Sequence, residues 1–138
     1  KIPSQKAFTL MEILVTEVIV GIIADFSIPN YGKAVAQTRL QDAIIQLSAI
    51  RSANQVYYAR TSSYWPSTGT GDVNVINTSL SLNIIENGLT YTCSADGANP
   101  GTAFECFATT TDDTPFTVTV TQAVLSATNP QCTAGPCP

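Results

Sequence analysis

Four cysteines (Cys93, Cys106, Cys132 and Cys137) and three carboxylates set in an apolar run (Glu12, Glu17 and Asp25) are the residues whose types and spacing invite chemistry in this 138-residue chain. Histidine is absent, which removes His-based triads, imidazole metal ligands and a histidine pH switch together. No Cys-x-x-Cys pair occurs, so the thiols do not read as a zinc or thioredoxin site. Four cysteines permit three pairings. Local pairing, Cys93 with Cys106 and Cys132 with Cys137, is favoured, and two bridges imply an oxidising compartment and hence export. Asn77-Thr78-Ser79 is an Asn-x-Ser/Thr sequon, which admits a glycan on Asn77. Asp112-Asp113 lacks the spaced oxygen ligands of a calcium loop. No nucleophile–base pair, glycine-rich phosphate loop or pair of catalytic carboxylates can be drawn. The chain reads as a non-enzyme, with no cofactor and no metal.

The elements that must position these residues change character near residue 60. Residues 8–28 are apolar on nearly every side and free of proline. At about 1.5 Å per residue they span about 31 Å, close to a bilayer core. Composition leaves two readings of that stretch open, a membrane segment or a deeply buried helix with paired acids. A carboxylate at the centre of a membrane helix costs about 2.5–3.5 kcal/mol on translocon scales, so each acid needs a partner. Pro29 marks an expected kink. Ala36, Leu40, Ala43, Ile44, Leu47, Ile50, Ala53 and Tyr57 then recur at three- and four-residue steps, the pattern of an amphipathic helix reaching about residue 60. A helix from 8 to 60 would be about 80 Å long. That is too long for a small globule, so its front half must be covered by a membrane or by other copies.

Residues 61–88 are rich in turn chemistry and read as a long connection. Beyond Gly88 the period becomes two, and residues 89–93, 103–108 and 116–121 read as three antiparallel strands. Their alternating threonines suit one wet face and one face packed on the amphipathic helix. Residues 61–138 hold sixteen threonines, expected as strand formers. The fold class is therefore α+β: a long amino-terminal helix (about 8–60) packed by its second half on a small antiparallel sheet, with a disulfide-closed tail. Charge follows the same division. Residues 1–60 carry six basic and four acidic residues, and residues 61–138 carry six acids and no base, which sums to −4. An outer half without lysine or arginine argues against nucleic acid as a partner.

Lys6-Ala7-Phe8-Thr9-Leu10-Met11-Glu12-Ile13-Leu14, an apolar run containing Gly21, and Ile28-Pro29-Asn30-Tyr31 together resemble the amino-terminal signature of type IV pilins, of the type IVa-like major kind, and related pseudopilins. The resemblance implies the pilin fold. It divides the chain into a leader-like segment or amino-terminal extension (1–7), a hydrophobic transmembrane and polymerisation helix (8–32) and a head (33–138). Within the head it sets an amphipathic helix (33–60), a connection (61–88), a sheet (89–123) and a disulfide region (124–138). It implies cleavage by a prepilin peptidase between Ala7 and Phe8, methylation of the new amine, and a role for Glu12 in meeting the amine of a neighbouring subunit. The family usually has glycine before the cut, where this chain has Ala7. Gly21 and Pro29 match places where the helix loosens on assembly. Glu17 and Asp25 stand where the family is usually apolar, and inter-subunit ion pairs with Lys33 or Lys6 are expected for them.

The function implied is a structural subunit held in the bacterial inner membrane and then polymerised, by pilus assembly machinery, into an extracellular homo-oligomeric filament for attachment or motility. The alternatives are a pseudopilin of type II secretion, or a minor pilin or membrane-anchored binding module.

Overall fold

The computed structural model describes residues 8–95, 101–111, 115–122, 129–135 and 137, with residues 26–30 described by backbone alone. The expected leader segment, the Asp112-Asp113 pair and residues 96–100 between the first two expected strands thus lie outside the described residues. Contacts divide the chain into two compact units, Lys1–Ala36 and Gln37–Pro138.

Helix α1 (Leu10–Thr61) belongs to both units. Thr9 opens it and Ser62, at φ 58°, closes it, its N–H donating to Tyr58 O at 2.8 Å. This left-handed residue satisfies a carbonyl that the helix end would otherwise leave bare. Pro29 falls inside α1, where its missing N–H removes one helical hydrogen bond.

In the second unit the helix buries Ala43, Leu47, Ile50 and Asn54, with Leu40, Ile44, Ala53 and Tyr57 beside them. Against that stripe lies a five-stranded antiparallel sheet in the order β1-β2-β3-β4-β5: Thr70–Asp72, Leu89–Ala95, Phe104–Thr110, Thr117–Thr121 and Gln131–Ala134. Alternation sets its inner face. Leu89, Tyr91 and Cys93 from β2, Phe104, Cys106 and Ala108 from β3, and Val118 and Val120 from β4 are all buried. The three expected strands are β2, β3 and β4. Threonines line the other face in bonded pairs, Thr119 with Thr133 at 2.7 Å and Thr109 with Thr117 at 3.3 Å between hydroxyls. These pairs reward threonine there beyond its strand propensity.

The connection 61–88 holds more structure than its turn residues suggest. It contributes β1 and the short helix α2 (Val73–Leu80), whose Val73, Ile76 and Leu80 enter the core. Asp72 caps α2, its Oδ1 accepting from the N–H groups of Asn74 and Val75, both at 3.1 Å. Gly71 in β1 lies under the Trp65 indole, and a Cβ there would collide with the ring. Three asparagines pin the loops by acting as substitute backbone. Asn54 brackets Trp65, accepting from its N–H at 2.8 Å and donating to its carbonyl. Asn77 does the same to Ile84 at 2.7 and 3.0 Å, and Asn129 to Thr121 at 3.0 and 3.4 Å.

Candidate functional site

The first turn of α1 is built by a reciprocal pair. Thr9 donates to Glu12 Oε2 from its backbone N–H at 2.8 Å and from its hydroxyl at 2.9 Å, and Glu12 N–H donates to Thr9 Oγ1 at 3.2 Å. This is a capping box, and it satisfies two amide donors that would otherwise be orphaned. It also holds a carboxylate in the helix's positive end, where the dipole favours it. Thr16 hides its own hydroxyl against the carbonyls of Glu12 and Ile13 at 2.9 and 2.8 Å.

Around that polar start the surface is apolar. Leu10, Met11, Ile13, Leu14, Val15, Val18, Ile19, Val20, Ile22 and Ile23 stand 44–82% exposed. At 100° per residue they cover every side of the helix. At about 1.5–3 kcal/mol for each buried side chain, covering them is worth on the order of 20 kcal/mol. Among the described residues no helix is long and apolar enough to cross a membrane. Glu12, Glu17 and Asp25 break up the apolar run.

Glu17, Gly21, Asp25, Pro29 and Lys33 are each four residues apart, so they form one i±4 ridge along α1. Periodicity alone could have shown this in the sequence. Gly21 has nothing within 4 Å of where a Cβ would be, leaving an open notch between two acids. Among the described residues the side chains of Glu17, Asp25 and Lys33 make no hydrogen bond or ion pair. Asp25 and Lys33 are eight positions apart, about 12 Å along the axis, and so do not meet within one helix. Ala7 lies outside the described residues, and Phe8 is 80% exposed.

In the second unit the structure joins Cys93 to Cys106 and Cys132 to Cys137. The first pair faces across β2 and β3 in register and is fully buried. The second closes the tail just after β5 and is more open to solvent. Asn77 spends its amide on Ile84 in both directions, so the sequon nitrogen is a structural donor. Tyr57 packs on the sheet side, Tyr58 stacks on Tyr64 at 4.4 Å, and Tyr31 is exposed. Arg51, which the sequence sets beside the apolar stripe, is 6% exposed. Its Nη2 donates to Gln122 O at 3.3 Å, and with the Gln55 amide turned oxygen-inward it is also met there at 3.1 Å. Among the described residues no three His, Cys, Asp or Glu side chains gather into a metal site.

A helix with a bare apolar first part and a second part laid on an antiparallel sheet, with a disulfide-closed tail, is an α+β arrangement consistent with the pilin fold. Sequence comparison agrees. A fimbrial protein of Pseudomonas aeruginosa is 38% identical over 50 residues, covering 36% of this chain and 32% of its own length. A fimbrial protein of Neisseria meningitidis is 36% identical over 66 residues, covering 48% and 38%. The type IV major pilin protein PilA of Myxococcus xanthus is 31% identical over 62 residues, covering 45% and 28%. Over that part the chain is similar to type IV pilins, and the match spans about a third of the length of these curated relatives. No family model and no solved structure matches it significantly.

Proposed function

We propose that this chain is the structural subunit of an extracellular type IV pilus, polymerising through the first part of α1. The observation that carries the reading is the apolar surface of residues 10–23, uncovered on every side. In water such a surface is untenable, and a ring of identical helices covers it as well as lipid does. Before assembly the same surface rests in the inner membrane, with Lys1 and Lys6 at the cytoplasmic side. Prepilin peptidase cuts between Ala7 and Phe8, and the assembly machinery then exchanges lipid for neighbouring helices.

The carboxylates supply register. Removal of residues 1–7 leaves an amine on Phe8, close to Glu12 of an adjoining copy. Lys33 at one end of the i±4 ridge meets Glu17 or Asp25 of another. An acid inside an apolar bundle is tolerable only when paired, so these contacts select one stagger between copies. Gly21 and Pro29 give the ridge the slack to fit.

The test is electron microscopy, with mass spectrometry, of material sheared from cells that express and export the chain. Long thin filaments containing a chain that begins at Phe8 and carries both disulfides are expected. A chain found only in the membrane fraction, or only in short periplasmic assemblies, overturns the reading.

A further inference from the structure

Eight asparagines occur in the chain, and one differs from the rest in its next neighbour. An asparagine loses its side-chain amide nitrogen when the next residue's backbone nitrogen attacks the asparagine Cγ, so a neighbouring N–H that is absent or already bonded blocks the reaction. Asn99 and Asn129 precede proline and have no such N–H. Asn30 and Asn54 lie in α1 and Asn77 in α2, where the next amide belongs to the helix. Asn74 precedes Val75, whose N–H is held by Asp72. Asn83 precedes Ile84, whose N–H is held by Asn77 at 2.7 Å. Asn87 alone precedes glycine, with no side chain to hinder the attack.

The surroundings of Asn87 also favour reaction. It is exposed, ahead of β2, and among the described residues its side chain makes no hydrogen bond. Gly88 sits at φ +72°, and its carbonyl, rather than its N–H, is bonded, accepting from Thr111 at 3.4 Å. The Arg39 guanidinium lies against Gly88, 3.3 Å from where a Cβ would stand. A cation there favours the amide anion that attacks and the carboxylate that results.

We infer that Asn87-Gly88 is a site of spontaneous deamidation in the folded head, with water as its only co-reactant. The Gly88 nitrogen gives its proton to solvent base and bonds to Asn87 Cγ. The Cγ–Nδ2 bond breaks, ammonia leaves, and a succinimide remains. Water opens the ring at either carbonyl, giving aspartate or isoaspartate. Each product adds one negative charge to a chain of formal charge −4. Isoaspartate also lengthens the main chain by one carbon just before Leu89, which is buried at the start of β2. This reaction needs only the folded head and does not depend on assembly into a filament.

Incubation of the purified, disulfide-intact chain at mildly alkaline pH, with isoelectric focusing and peptide mapping of the product, tests it. The expected result is an acidic isoform that accumulates faster as pH rises, with aspartate and isoaspartate at position 87 and the other seven asparagines intact. Asn87→Gln removes that isoform. Conversion spread evenly over several asparagines overturns the inference. So does a native chain that stays unchanged while the urea-unfolded chain reacts at Asn87, since the fold would then shield the site.

Discussion

Tyr91 carries a phenol that is 1% exposed and, among the described residues, without a hydrogen-bond partner. A buried polar group left unsatisfied costs about 1–3 kcal/mol. Burial first, and then the negative charges of Asp42 and Glu86, push its pKa well above the ordinary phenol value. Tyr91→Phe is therefore expected to raise stability by about 1 kcal/mol, read as a higher urea midpoint at neutral pH. Proton linkage sets the sign of the pH dependence. Up to about pH 10 both the folded and unfolded forms hold the proton; above that the unfolded chain releases it and the folded chain does not. Stability falls as pH rises beyond that point, and Tyr91→Phe flattens that part of the decline. None of this was legible in the sequence, where Tyr91 is simply the aromatic on an alternating strand. The same holds for Asn54, Asn77 and Asn129, whose backbone partners lie 11, 7 and 8 residues away. A polar side chain reveals such a role only once the loop is in place.

Elements with several periods of pattern were readable, and shorter ones were not. Helix α1 declares itself by apolar steps of three and four, and β2, β3 and β4 by alternation. Strands β1 and β5 have three and four residues, too few to show a period. Helix α2 hides its 73-76-80 spacing among turn formers, although Asp72 ahead of Val73 was a usable capping signal. That cap is its weak point. Asp72→Ala is expected to cost about 1 kcal/mol by thermal or urea melting, with Asp72→Asn retaining most of the stability. At the start of α1 the Thr9–Glu12 box was open to reading for the opposite reason to β1: both partners lie within one turn. What pairs Glu17 and Asp25 was not, because no described residue of the same chain does so.

At the scale of the whole molecule, charge is the scarce material. Between Phe8 and Ala36 stand Glu12, Glu17 and Asp25 against Lys33 and whatever amine the mature end supplies. If copies associate along the proposed ridge, Lys33→Glu lowers filament yield while the head keeps its melting temperature, and adding Glu17→Lys or Asp25→Lys restores part of it. Unchanged yield in Lys33→Glu, measured by sedimentation of sheared filaments, overturns that pairing. The second unit bears on assembly in another way. Its strands pair in the order in which they occur in the chain, each antiparallel to the next. The sheet therefore needs no meeting of strands far apart in sequence, and low contact order of this kind speeds folding. The head can zip from β1 to β5 in chain order, each new strand finding its template already formed. The last, short strand carries Cys132, so the Cys132–Cys137 bond pins the end of the chain to the edge of a sheet already complete in chain order.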